Sequence, residues 1–394
     1  MTTTNDKRTE FNLPLTLAAM LLARITLNMA FRITYPFLPA IARGLGVDLT
    51  TAGLLITSRA AGGATSPIFG PLSDRYGRKR LLLIGIALLI AGAAICAVVP
   101  LYAAFMVAFV LFGISKAIYD PTMQAYIGDR VPYERRGRAI GVTELAWSGG
   151  WLVGVPSAGW LIAHAGWQAP FALLAVLSTA GLALIAWLLP RDVPIAQHTN
   201  TTLQLGVVFR NRNLLAALLV TLLLMLANEL TFIVYGAWME SRFGLSVVSL
   251  GVVSIAIGVA EAAGEFGSAA FVDRLGKRRA VLVGLALLGI CYGVLPSLGQ
   301  RLEWAIGGLV VLFVVFEFTL VSSLPLVSGL APEARATAMS ANAAAMTLAR
   351  MIGSVSGTAL FTWMGKLEPN AVASVIASVA AFGVLWIFVR ERAT

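Results

Sequence analysis

Two short basic loops, each wedged between long apolar runs, constrain this chain more than any other feature. The first is Gly70-Pro71-Leu72-Ser73-Asp74-Arg75-Tyr76-Gly77-Arg78-Lys79-Arg80, between the apolar runs 51–69 and 81–99. Four bases and one acid in so short a connection form a tight cytoplasmic hairpin between two membrane helices. Basic residues stay on the inside of a bilayer, and glycine permits the turn. The pattern returns as Ala269-Ala270-Phe271-Val272-Asp273-Arg274-Leu275-Gly276-Lys277-Arg278-Arg279, with Ala269 in place of the leading glycine. Asp74 and Asp273 lie 199 residues apart in a chain of 394, so the spacing is close to half the length. An ordinary basic loop explains one copy; two copies at that spacing indicate an internal duplication, as in transporters built from repeated halves.

Composition agrees. Apolar residues make up 58% and charged residues 12%, against roughly 25% charged in a soluble domain. The net charge of +10 does not point to nucleic acid, because of where it lies. Of 29 Lys and Arg, 20 fall in the expected cytoplasmic segments, 4 in outer loops and 5 inside spans. That is the inside-positive bias, with attraction to anionic lipid headgroups. No cleavable signal peptide is evident: residues 1–10 are polar and the first apolar run is too long for one. Cys96 and Cys291 fall mid-span in corresponding helices and read as small apolar fillers, not a disulfide.

About 20 apolar residues cross a bilayer as a helix. Read so, the first half gives spans near 13–40, 48–70, 81–99, 101–127, 139–163 and 167–189, and the second near 214–240, 246–271, 280–298, 304–329, 339–363 and 369–390. The expected fold is an all-α integral membrane protein of twelve helices: an N-terminal bundle (1–190), a cytoplasmic linker (191–213) lying along the inner surface, and a C-terminal bundle (214–394). Both termini are expected in the cytoplasm. Pro36 and Pro39 should bend the outer end of span 1.

The loop pattern Gly-x-x-x-Asp-Arg-x-Gly-Arg-Lys-Arg resembles the loop 2–3 signature of the major facilitator superfamily, in both halves. The resemblance implies six-helix halves related by a pseudo-two-fold axis. It implies a cavity lined by spans 1, 4, 7 and 10, an interface of spans 2, 5, 8 and 11, and lipid-facing spans 3, 6, 9 and 12. In a cytoplasmic gate of that kind Gly70, Asp74, Arg75, Gly77 and Arg78 act with Asp129, which resembles the acid ending span 4; Asp273 and Arg274 are the second-half counterparts. Together they would latch the cytoplasmic side shut. Span 5 carries Gly141, Gly150, Gly154, Pro156 and Gly159, similar in part to the antiporter signature of the 12-span drug:proton antiporters. The proline is displaced by one and the final glycine pair is reduced to one. The Arg usual in the first part of span 4 in that group is replaced by Phe109.

Ionisable residues inside a span are expensive and therefore functional candidates. Eleven qualify: Arg24, Arg32, Arg59, Lys116, Asp120, Glu144, Glu229, Glu261, Glu265, Glu317 and Arg350. None falls in spans 3, 6, 9 or 12. Glu317 lies mid-span with no base within one turn, the setting of a carboxyl that holds a proton; the alternative is a cation from another helix, such as Arg24. Glu229 reads as a cation or proton site, or as a bridge to the first half. Glu261 and Glu265 share a helix face, so one is protonated or both meet a cation, with Arg350 the expected partner. Glu144 could approach Glu265. Lys116 and Asp120 are spaced for an intrahelical pair. Arg24, Arg32, Arg59 and Lys116 together offer a site for an anionic group. Arg350, Gly150, Gly154 and Pro156 belong with Arg59 to the moving interface.

Nothing reads as an enzyme. His164 and His198 are the only histidines, and neither has a triad partner; no phosphate loop or metal-ligand cluster is present. The leading expectation is a secondary transporter in the bacterial inner membrane, exporting small amphiphilic compounds by proton antiport. It would work as a monomer with no cofactor, powered by the proton gradient, with protons, a small-molecule substrate and lipids as partners. The alternatives are a lipid or lipid-linked transporter and a proton-coupled nutrient symporter.

Overall fold

The computed structural model describes residues 13–131, 143, 146–147, 149–190, 210–331 and 334–389, without the side chains of 13, 67, 70, 71, 74 and 336. Glu144, Gly141, the gate positions Gly70 and Asp74 as side chains, and nearly all of the linker lie outside this set. Within it the chain is helical. The first half holds α1 (Leu13–Arg32), α2 (Thr34–Leu45), α3 (Leu49–Gly63), α4 (Ser66–Tyr76), α5 (Arg78–Val98), α6 (Tyr102–Arg130), a π-helical turn (Gly150–Gly154) leading into α7 (Val155–Ala165), and α8 (Ala169–Leu188). The second holds α9 (Arg212–Phe232), α10 (Tyr235–Phe243), α11 (Val247–Leu275), α12 (Lys277–Leu298), α13 (Leu302–Gly329), α14 (Arg335–Met364) and α15 (Glu368–Phe388).

Among the described residues, 10 helical segments are long and apolar enough to cross a membrane. Two more crossings are assembled from pieces: α3 with α4, broken at Ala64-Thr65, and the π turn with α7. The 118° bend between α2 and α3 is a hairpin at the end of the bundle opposite the basic loops, turned by Gly46 at φ 68°. Asp48 caps α3 there: Thr51 donates its backbone N–H (2.8 Å) and its hydroxyl (2.7 Å) to the carboxylate. These bonds hold the Asp48 carboxyl below the usual range. A depressed folded-state value means the cap is present above the unfolded value of about 4 and is lost as pH falls through the folded one. Asp48→Ala should therefore lower the melting temperature at neutral pH, Asp48→Asn less so, and the difference should vanish in acid.

Packing follows the duplication. In the first half α3 packs on α6, α6 on α5, α5 on α8 and α8 on α1; in the second α11, α13, α12, α15 and α9 repeat that order. The halves meet through α14 on α3, α11 on α7 and the π turn, and α10 and α11 on α2. Details recur at the same offset. The motif glycines Gly77 and Gly276 both take positive φ, 98° and 79°, where a side chain would be strained. Lys79 donates to the Ala186 and Leu189 carbonyls at the end of α8; Arg278 donates to Leu385, Trp386 and Val389 at the end of α15. Each base meets the negative end of a helix. Exposed Trp160, Trp304 and Trp363 ring one end of the bundle, Trp187 and Trp386 the other, as residues with apolar rings and polar tips do at the two membrane surfaces.

Span 1 bends where its prolines dictate. Pro36 has no N–H to offer Arg32, and its ring crowds that carbonyl, so α1 stops at Arg32 and α2 restarts at Thr34. Span 7 breaks at the matching place, between Phe232 and Tyr235, without a proline.

Candidate functional site

The broken ends of spans 1 and 7 place a band of charged and aromatic residues at mid-depth. Arg32, the last residue of α1, crosses to the second half. Its Nη1 and Nη2 donate to the two Glu261 oxygens at 3.0 and 2.6 Å. The Trp151 indole N–H donates to the same carboxylate at 2.8 Å. The Arg32 guanidinium lies 4.1 Å from the Trp147 ring centre and 4.6 Å from that of Trp151. Local sequence builds this geometry. The π turn carries Trp151, and Gly258, one turn before Glu261, opens a slot for it: a methyl on Gly258 would sit 2.5 Å from Trp151 Cβ. Gly150 and Gly154 bring the same segment against Asn28, Arg32 and Met29 of α1, and Pro156 meets Gly251 of the second half.

Arg350 is therefore not the partner of Glu261. Helix α11 packs against α7 and α13 whereas α14 packs against α3 and α9, so Glu261 turns to the first half. Glu265 is half-buried one turn away.

Glu229 sits on the other side of the band. Tyr35 donates to its Oε2 at 3.2 Å, and Arg59 Nη2 lies 3.4 Å from that hydroxyl. The carboxylate reaches the first half through a tyrosine rather than through a base. Its Oε1 is buried without a hydrogen-bond partner. Between Glu229 and Glu261 runs an aromatic wall centred on Phe232. Its ring stacks on Tyr35 (4.4 Å) and Tyr235 (5.1 Å) and meets Phe313 (4.9 Å) and Trp151 (5.8 Å).

Towards the basic-loop end lies a group held within the first half. Asp120 takes Lys116 at 2.8 Å and Arg24 at 3.2 Å. The intrahelical pair expected from the spacing is present. Lys116 also donates to Asn28 Oδ1 at 2.8 Å, and Arg24 to the Thr143 carbonyl at 3.0 Å. Arg24 is thus taken by Asp120 and is not the counter-ion of Glu317. The four first-half cations do not converge on one anion site either, because Asp120 compensates two and Glu261 a third.

Glu317 is buried in α13. It packs against α11 where Gly264 lets the helices approach: a methyl there would lie 2.8 Å from Glu317 Cβ. It makes no hydrogen bond or ion pair with any described residue. Arg32, Glu261, Glu265 and Arg350 are the charges around it.

A cavity of about 200 Å³ opens below the aromatic wall, bounded by Phe31, Arg59, Lys116, Asp120, Thr347 and Arg350 among others. Its walls come from spans 1, 2, 4 and 11, so interface helices supply two of its bases. Phe109 lies elsewhere, fully buried in a cluster with Phe105 and Phe112; an Arg there would be buried in apolar packing.

At the basic-loop end Arg78 Nε pairs with Asp129 at 3.1 Å. That pair is internal to the first half. Arg75 is exposed over the Tyr76 ring, and Asp273 and Arg274 are exposed and meet no partner among the described residues. Among the described residues, the contacts between the halves run from mid-depth to the opposite end. There Arg43 pairs with Glu240 at 2.7 Å, Thr50 meets Thr362 at 3.4 Å, and Thr57 meets Ser354 at 2.7 Å. The Asp74 side chain of the expected latch and residues 132–142 lie outside the described residues.

Sequence reasoning passed over Tyr35, Asn28, Trp147, Trp151 and Phe232, which complete these networks. Charge was the criterion, and neutral polar or aromatic residues carry none. The available signals were position: Tyr35 one turn beyond Arg32, Trp151 between two glycines.

Such a site, in two repeated helical bundles joined by inter-half ion pairs, defines a multi-pass membrane transporter. The sequence profile of the Major Facilitator Superfamily matches residues 20–315 and 217–394, and the chain belongs to that family. It is 26% identical over 331 residues to the uncharacterized MFS-type transporter YceJ of Bacillus subtilis (strain 168), covering 82% of this chain and 83% of that one. It is 26% identical over 239 residues to the class C tetracycline resistance protein of Escherichia coli, covering 58% and 59%. Its fold is similar to that of a D-xylose-proton symporter, with a TM-score of 0.77, 16% identity, and 96% and 97% of the two chains covered.

Proposed function

We propose that this transporter exports small amphiphilic compounds in exchange for protons. It works by alternating access in a bacterial inner membrane, as a monomer, with both termini in the cytoplasm and the proton gradient as its only energy source. The observation that carries the reading is Glu317: a buried carboxyl, held by no cation, beside the Arg32–Glu261 pair that spans the halves. A proton arriving at or leaving Glu317 changes the charge next to that pair, and so changes the energy of the contact that must break for the halves to rock. The partial span 5 signature favours export over uptake, and the name of the tetracycline resistance relative fits the same class of cargo. With the basic loops in the cytoplasm, the described contacts between the halves lie from mid-depth to the outer side.

The test uses inside-out vesicles energised to an acid interior and read by a pH-sensitive dye. A panel of cationic, neutral and anionic amphiphiles is added to the wild type and to Glu317→Gln. Wild type is expected to release protons on addition of a transported compound. The variant is expected to lose the response by roughly tenfold or more. Failure of every compound to evoke proton movement in the wild type would overturn the exchange reading.

A further inference from the structure

Five bases lie within the spans. Three have carboxylate partners: Arg24 and Lys116 share Asp120, and Arg32 has Glu261. The other two, Arg59 and Arg350, make no ion pair with any described residue. Both line the same cavity, with Lys116 between them and the basic-loop end.

Arg59 is held by neutral groups. Its Nη1 donates to the Phe31 carbonyl at 3.0 Å, and its guanidinium lies 4.3 Å from the Phe31 ring centre. Arg350 makes no hydrogen bond with any described residue. Its nearest acid by packing is Glu229, whose stem lies against Gly353 one turn on; that carboxylate is turned to Tyr35. A guanidinium cannot shed its charge by losing a proton. Arg350 is half-buried and faces the cavity, so its counter-charge is not supplied by any described residue and can come from a group that enters there.

The geometry points to an anionic group, a carboxylate or phosphate on an apolar body, as the substrate feature that Arg350 binds in this cavity. The inference rests on the transporter reading and adds the charge class that reading leaves open. The planar fork of Arg350 suits two oxygens. Lys116 keeps a donor beyond its bonds to Asp120 and Asn28. Phe31 and Ile56 provide the apolar wall on which a ring or chain rests. The acids near Arg350 are Glu229, Glu261 and Glu317, and Asp120 is already bound twice; none of them touches it. In exchange, the anion occupies the cavity and the proton occupies Glu317 in alternate orientations.

The experiment measures binding to the purified full-length protein through quenching of its tryptophan fluorescence. The probes are 1-naphthoate, 1-naphthyl phosphate, the neutral 1-naphthamide and the cationic 1-naphthylmethylammonium. The two anions are expected to bind more tightly than the amide and the ammonium. Arg350→Gln should weaken anion binding roughly tenfold or more, and Arg350→Lys should restore part of it. Glu229→Gln should leave anion binding intact or tighten it, since it removes a competing negative charge. The inference is overturned if neither anion binds better than the ammonium probe. It is also overturned if Glu229→Gln weakens anion binding as much as Arg350→Gln, which would make Arg350 a structural partner of Glu229. Proton release in the vesicle assay is read separately. Anion binding without proton movement overturns the exchange reading and leaves the anion site standing. Proton release with the ammonium probe alone does the reverse.

Discussion

Glu261→Gln is expected to destabilise the protein by about 3–5 kcal/mol and to abolish transport, because it leaves the Arg32 guanidinium buried without a counter-charge. Both side chains are less than a tenth exposed, at 8% and 4%, so water cannot take the place of the lost carboxylate. The two ends of the pair are not equivalent. A carboxyl stripped of its base neutralises itself by taking a proton, whereas a guanidinium cannot. Arg32→Gln should therefore be the milder change, and the double variant Arg32→Gln/Glu261→Gln should be more stable than Glu261→Gln alone. The Trp147 and Trp151 rings soften the loss at Arg32 but supply no full charge. Chemical denaturation of the four proteins in one detergent closes the cycle. Additive effects of the two single changes would show that the pair is not coupled, and would remove the basis for its role between the halves.

The fold was legible because it repeats. The loop at Gly77 and its copy at Gly276 set the period, and with twelve apolar runs they fixed the number and order of the spans. The helix-capping bonds of Lys79 and Arg278 show the duplication reaching down to single side chains. Inside the spans, sequence located the charges but paired them unevenly. Lys116 and Asp120 were readable because an i, i+4 pair is local. Arg32 with Glu261 was not, being separated by 229 residues. Its formation depends on how α11 turns against α7, which is decided by Gly258 and the π turn rather than by charge. At the basic loops the signature placed Asp129 beside a loop 2–3 base, and Arg78 meets it; the described contacts between the halves lie from mid-depth to the opposite end, where no signature points.

That joined end makes the second large prediction. Gly236, just past the break in span 7, packs against the backbone of Pro36, just past the break in span 1. A methyl on Gly236 would sit 2.3 Å from the Pro36 carbonyl oxygen, 2.8 Å from its carbon and 2.9 Å from its Cα. Backbone cannot swing aside as a flexible side chain does, so the two halves would have to part. The ion pair at this rim is weak: in Arg43–Glu240, Arg43 is 60% exposed, and the pair is worth at most about 1 kcal/mol. Overpacking by a Val side chain costs roughly 1–3 kcal/mol, enough to shift a two-state balance by about fivefold to a hundredfold. Gly236→Val should therefore favour the orientation opened at this end and slow transport, while the protein stays folded. Spin labels at Arg43 and Ser241 report it, in a background with Cys96 and Cys291 replaced. The distance distribution should move to longer values in Gly236→Val and stay put in Gly63→Ala, where the added methyl meets nothing within 4 Å. An unchanged distribution in Gly236→Val would mean that the contact yields without separating the halves, and that closure at this end is governed by the charged and aromatic band below it.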